Sequence, residues 1–193
     1  MAKNKSASHH IRIISGQWRS RKLPVHDLEG LRPTTDRIKE TVFNWLMTDV
    51  KNARVLDCFA GSGSLGFEAL SRYAQFTQFF ELNPQAAKQL TTNLATLNCD
   101  NARVSQGDTL SLLEQPPAQG FDLVFIDPPF RKGLVEPVIQ QLSEKKWLAD
   151  DALVYVETES ELQHLATPTH WSLLKEKSAG QVTSRLYLVQ AVK

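Results

Sequence analysis

A doubly wound α/β fold with a mostly parallel sheet follows from three features of this 193-residue chain. From Arg54 onward, short apolar runs alternate with helix-forming segments, the pattern of parallel strands joined by crossover helices. A glycine-rich loop follows the first of those runs, and Asp127-Pro128-Pro129-Phe130 follows the fourth. In such sheets ligands bind at the carboxyl ends of the strands, near the switch in strand order, and both segments fall at strand ends.

Each element has its own signal. Residues 1–9 are polar and predict a loose start. Apolar and basic residues alternate in part over 11–25, with Ser15-Gly16 as a turn signal, which predicts a hairpin. Pro33-Thr34-Thr35-Asp36 opens a helix, with Thr34 or Thr35 as N-cap and Ile38, Val42, Phe43 and Leu46 on one face. Residues 55–59 form the first strand of the alternating part and 64–72 its helix. Residues 78–81 and 102–105 are the next strands. The helix at 84–97 between them starts on Pro84, a position where the missing N–H costs nothing. A short helix covers 109–114, the fourth strand 121–126, and a further helix lies within 134–147. Residues 153–157 are the fifth strand and 159–166 a helix. Residues 171–175 and 185–189, separated by Ser178-Ala179-Gly180, form an antiparallel closing hairpin and complete seven strands. The expected organisation is a flexible N-terminus at 1–10, a basic hairpin and helix at 11–50, and the α/β domain at 51–193.

Composition excludes several classes. No run approaches the roughly 18 apolar residues of a membrane span. The N-terminus lacks an apolar signal-peptide core, so a cytoplasmic protein is expected. Cys58 and Cys99 lack metal-ligand spacing and are read as reduced thiols, with no metal site. The net charge of +1 hides an asymmetry. Residues 1–40 hold nine lysines and arginines against four acids, the rest 13 against 17. Such a basic arm fits either a polyanion-docking element or a solvated face.

The loop Asp57-Cys58-Phe59-Ala60-Gly61-Ser62-Gly63-Ser64-Leu65-Gly66 runs from the first strand into a helix, and Gly61, Gly63 and Gly66 match the dinucleotide-binding pattern. Charge separates the candidate cofactors. A dinucleotide would set a pyrophosphate at the helix N-terminus, where the carboxylate of Asp57 repels it. S-adenosylmethionine has no phosphate and carries a sulfonium and an ammonium, which Asp57 suits. Glu81 ends the second strand and can accept both ribose hydroxyls, as an acid does in dinucleotide enzymes too. Asp108, after the third strand, can accept from an adenine amine or simply cap the helix that follows.

The fourth strand ends in a carboxylate, two prolines and a ring. The prolines fix φ and supply no N–H, so the turn is stiff and its carbonyls point outward. Asp127 and the Pro128 carbonyl can together accept both hydrogens of a flat amine, and Phe130 can stack on the ring that bears it. A bare strand stop is the plain alternative.

With these motifs in place, the chain resembles a class I S-adenosylmethionine-dependent methyltransferase with a Rossmann-like sheet. The tetrapeptide resembles the signature of enzymes that methylate exocyclic or planar amino nitrogens. Three blocks, residues 11–23, Leu31-Arg32-Pro33-Thr34-Thr35-Asp36-Arg37 and Phe43-Asn44-Trp45-Leu46, are similar to those of the ribosomal RNA small-subunit methyltransferase D family. That resemblance implies methylation of a guanine N2 amine in small-subunit ribosomal RNA, within an assembly particle, by a monomer. It implies catalytic roles for Asp127, Pro128, Pro129 and Phe130, and cofactor binding by Asp57, Phe59, Gly61, Gly63, Glu81 and Asp108. RNA contacts fall to Arg12, Trp18, Arg19, Arg21, Lys22, Arg32 and Arg37, with Trp18 fitting a stacking or a core role equally. It also implies a glycine where Ser20 stands. Alternatives are amine methylation of another nucleic-acid base or of a protein glutamine, a non-catalytic ribosome-assembly factor that binds RNA, and, least supported, a nicotinamide oxidoreductase.

Overall fold

The structure is a computed structural model that describes residues 9–25 and 36–191. The expected caps Thr34 and Thr35, and Arg32 of the basic set, lie outside the described residues. In chain order the elements are β1 (His10–Arg12), β2 (Lys22–Pro24), α1 (Asp36–Trp45), β3 (Arg54–Asp57), α2 (Ser64–Ser71), β4 (Phe76–Glu81), α3 (Pro84–Thr96), β5 (Ala102–Gln106), α4 (Thr109–Leu112), β6 (Phe121–Ile126), α5 (Val135–Glu144), β7 (Leu148–Glu159), β8 (Trp171–Ala179) and β9 (Val182–Val189).

Seven strands form one sheet in the order β5-β4-β3-β6-β7-β9-β8, and β1 pairs with β2 as a separate antiparallel ribbon. The pairs β5-β4, β4-β3, β3-β6 and β6-β7 are parallel, while β9 runs antiparallel to both β7 and β8. The chain winds outward from β3 through β4 to β5, then returns to the other side of β3 with β6. The switch point therefore lies between β3 and β6, whose carboxyl ends carry the glycine loop and the Asp-Pro-Pro-Phe turn.

Alternation along the central strands sorts side chains onto two faces. Leu56, Val124, Ile126, Val154 and Val156 pack with Val138, Ile139 and Leu142 of α5. Val55, Leu123, Phe125 and Tyr155 pack with Val42, Phe43 and Leu46 from α1 and the turn after it, and with Leu65 and Ala69 of α2. Because both faces are covered, the middle stretches of the central strands are apolar on both sides. A third cluster joins Ile11, Ile13 and Leu23 of the ribbon to Phe67 and Leu70 of α2 and to Leu90 and Leu94 of α3.

The expected helix at 159–166 is absent. β7 continues to Glu159, and residues 162–168 run without regular structure. Pro168 biases Thr167 away from helical backbone. The Arg185 guanidinium donates to the carbonyls of Leu162 (3.1 Å) and Gln163 (3.4 Å), which replaces the hydrogen bonds a helix would make. Buried Arg185 also donates to Thr158 Oγ1 (2.8 Å) and pairs with Glu176 (2.6 Å).

The ribbon is pinned to the body. Ile14 N donates to Glu68 Oε2 (2.9 Å), Gln17 N to the Ser71 carbonyl (2.8 Å), and Trp18 N to Ser71 Oγ (3.0 Å). Ser71 Oγ in turn donates to the Ser15 carbonyl (2.6 Å). Gly16 has φ +80°, and a Cβ there would stand 1.9 Å from the Ser71 carbonyl oxygen, so only glycine permits this contact. Ser20 has φ 70°, a left-handed backbone in which glycine is favoured. The glycine implied by resemblance at this position thus has a local cause. Ser20→Gly is expected to raise stability by about 0.5–1 kcal/mol, the relief of αL strain less the added chain entropy, read as a higher melting temperature.

Candidate active site

Strand register assembles the site. Asp57 pairs with Phe79 on β4 and Phe125 on β6, and Phe125 pairs with Tyr155 on β7. Two residues beyond Phe79, Phe125 and Tyr155, on the same face, come Glu81, Asp127 and Glu157. The carboxyl ends of β4, β6 and β7 thus present a row of acids, with Asp57 one step below, on the side of the sheet that α2 covers.

The loop after β3 is tied to this row. Glu81 Oε2 accepts from Gly61 N (2.7 Å) and Oε1 from Asn83 N (2.7 Å). Each oxygen keeps a further acceptor position, so ribose hydroxyls remain within its capacity. Ala60 N donates to the Phe80 carbonyl (2.9 Å). Gly63, the N-cap of α2, has φ 78° and makes no side-chain cap, which leaves the helix N-terminus unblocked by a side chain. Asp57 is buried and its Oδ2 accepts from Gly66 N (3.2 Å) in the first turn of α2. Burial pushes its carboxyl up to about 7, and the charge of Glu81 adds to the rise, while the Gly66 and Phe59 amides favour the ionised form. Ser64 Oγ, buried at the first position of α2, has no hydrogen-bond partner among the described residues.

These features fit a cationic ligand with hydroxyls. The cleft holds buried and half-buried carboxylates, and no lysine or arginine occurs in the loop from Cys58 to Gly66. Asp108 caps α4 through Ser111 N (3.0 Å) and is exposed, so the capping role foreseen for it is present and its outer oxygen still faces solvent. Phe59 is half-buried and packs against the α5-side cluster.

At the β6 end, Asp127 and Phe130 are half-buried, Pro128 is buried and Pro129 is exposed. The sequence reading singled out no residue of β7 for the site, although Glu157 was legible as an acid closing an apolar strand. Glu157 is 4% exposed, and the Tyr155 hydroxyl donates to its Oε1 (2.7 Å) while lying 2.9 Å from Ser184 Oγ. Burial, then the charge of Glu157 and that of Asp127, holds the Tyr155 hydroxyl far above its ordinary range, so it stays a donor.

The basic set is spread out. Arg12 makes a two-nitrogen contact to Asp36 Oδ2 (3.0 and 2.7 Å), and buried Lys39 bonds the Arg12 carbonyl and Asp36 Oδ1. Arg12 and Lys39 together therefore hold the Asp36 carboxylate. Asp36 is correspondingly lowered below the usual carboxylate range, the guanidinium and ammonium outweighing its partial burial. Arg19, Arg21, Lys22 and Arg37 are exposed. Trp18 is half-buried against the third cluster, which assigns it packing there. The turn before Arg19 sits on Ser71, the last residue of α2. Arg19 is thus displaced from the glycine loop by the length of an eight-residue helix, about 12 Å.

The chain is similar to known proteins along nearly its whole length. The family model described as "Conserved hypothetical protein 95" matches residues 11–188. The chain is 54% identical to Ribosomal RNA small subunit methyltransferase D of Escherichia coli strain K12, over 97% of this chain and 94% of that one. It is also 54% identical to the protein of the same name in Haemophilus influenzae, over 94% and 95% of the two chains. A solved structure of the candidate methyltransferase yhhF from Escherichia coli is 50% identical, with a TM-score of 0.89, covering 95% of this chain and 100% of that one.

Proposed function

Because the chain belongs to the ribosomal RNA small subunit methyltransferase D family, within the Conserved hypothetical protein 95 group, we propose that it methylates ribosomal RNA. In finer terms, it moves the methyl of S-adenosylmethionine to the exocyclic N2 amine of a guanine in small-subunit RNA. The observation that carries this reading is the adjacency, at the switch point, of an acid-lined glycine loop and a stiff Asp-Pro-Pro-Phe corner. The cofactor, when bound, supplies an electrophilic methyl on a sulfonium.

Asp57 and Glu81, with Phe59, Gly61, Gly63 and Asp108 around them, hold that cation and its hydroxyls. Asp127 and the Pro128 carbonyl each accept one N–H of the amine. The nitrogen lone pair, otherwise delocalised into the purine, is thereby directed toward the methyl carbon. The sulfonium would supply the leaving group for this transfer, so the chain's own residues need only hold and align the amine. The positive charge developing on nitrogen is stabilised by Asp127. Phe130 stacks on the base, which must leave its helix to reach the corner. Residues 11–50 serve as the RNA-contacting extension, with Arg19, Arg21, Lys22 and Arg37 on phosphates.

The test is to incubate the purified protein with labelled S-adenosylmethionine and small subunits from cells lacking it, then locate the label. Label on guanine N2 is expected; label on another atom would refute the finer reading. Phe130→Ala should weaken use of RNA by about 1–3 kcal/mol of stacking while cofactor affinity holds, measured by calorimetry with each ligand.

Cofactor binding should also depend on pH. The carboxyl of Asp57 titrates near 7 in the free protein, and a cation favours its ionised form. Affinity should therefore fall as pH drops below about 7, by up to about tenfold per unit, and level off above it. Calorimetry at pH 6 in buffers of different ionisation enthalpy should reveal the released proton.

A further inference from the structure

In the row of strand-end acids, Glu81 and Asp127 have roles above and Glu157 has none. Ile126 and Val156 are the last register pair of β6 and β7. The next residues along, Asp127 just past β6 and Glu157 within β7, therefore fall on the same side of adjoining strand ends, and the charges of both act on the Tyr155 hydroxyl. The glycine loop leaves β3, on the opposite side of β6 from β7. A base that offers its amine to Asp127, with the methyl donor over β3, extends its ring toward β7. Glu157 is the acid it meets there.

The neighbours of an exocyclic amine differ among the bases. Next to its N2 amine, guanine carries an N1–H donor. Adenine and cytosine carry only ring-nitrogen lone pairs beside theirs. A carboxylate accepts from the first and repels the others. The Tyr155 hydroxyl fixes Glu157 Oε1 at 2.7 Å, so the group is already oriented, and the two oxygens of a carboxylate can each accept more than one hydrogen bond.

We propose that Glu157 determines base specificity: its carboxylate accepts the N1–H of a guanine whose N2 amine is held by Asp127. This rests on the guanine-N2 reading above. The probe is small-subunit RNA carrying either guanine or 2-aminopurine at the labelled nucleotide, since 2-aminopurine keeps the C2 amine but presents a lone pair at N1. kcat/KM is measured on both RNAs for wild type, Glu157→Gln and Tyr155→Phe, alongside cofactor affinity. The wild-type preference for guanine should fall at least ~10-fold in Glu157→Gln, chiefly through loss on guanine, with cofactor affinity kept. Tyr155→Phe should move the ratio the same way by a smaller factor, and it decides the matter alone if Glu157→Gln does not fold. An unchanged ratio, with both RNAs losing rate in parallel or neither losing any, overturns the assignment. Wild-type enzyme that leaves guanine N2 unmethylated overturns the guanine reading and this inference together, whereas normal guanine methylation with an unchanged ratio overturns this inference only.

Discussion

Asp127→Ala should lower methyl transfer by about 10³-fold or more while S-adenosylmethionine still binds. The residue sits at the corner where β6 ends, and its removal deletes one of the two proposed acceptors for the amine and the negative charge proposed to meet the developing ammonium. Orientation and charge stabilisation of this kind each account for several kcal/mol of a barrier. The proposed cofactor contacts lie at the ends of β3 and β4 and in the loops after β3 and β5, so they survive the change. Asp127→Asn, which keeps one carbonyl acceptor and loses the charge, should fall between wild type and alanine. Single-turnover rates paired with calorimetric cofactor affinity check both statements. Wild-type turnover in Asp127→Ala would remove the corner from the chemistry.

Glu81→Ala should show the complementary failure. Its two oxygens already hold the Gly61 and Asn83 amides at 2.7 Å. Those same oxygens are the proposed acceptors for the ribose hydroxyls. Alanine removes charge-assisted hydrogen bonds to the ligand and frees the backbone that shapes its loop. Hydrogen bonds to charged groups contribute about 1.5–3 kcal/mol each, so cofactor affinity should drop by roughly 10²–10³-fold. At saturating cofactor, kcat should recover most of its value, because the amine corner is untouched. Affinity by calorimetry and kcat at high S-adenosylmethionine separate the two effects. Unchanged affinity would place the cofactor elsewhere.

Much of this candidate site is legible in the sequence alone. Buried parallel strands must be apolar on both faces, which made the runs ending at Asp57, Glu81 and Ile126 conspicuous, and their terminal acids with them. Register was not readable. Only the pairing of Ile126 with Val156 brings Glu157 beside Asp127, and no local pattern encodes which strands become neighbours. The helix expected at 159–166 failed for a similar reason: its carbonyls are claimed by Arg185, more than twenty positions along the chain. Lys39 departs from what composition suggests in another way. Its charge marks it as a surface residue, yet it is 1% exposed and anchored to the Arg12 carbonyl and to Asp36. Packing between the ribbon and α1 overrides composition there.

If the basic arm contacts RNA as proposed, the joint between the ribbon and α2 would make it a ruler in place of a tether. Its turn is fastened to one end of a helix whose other end opens from the glycine loop, which sets the span between the two. A phosphate gripped by Arg19 would stand at a set span from the reacting carbon. An RNA would then be chosen by how far its target lies from a suitable backbone bend, a form of selectivity that needs no contact with neighbouring bases.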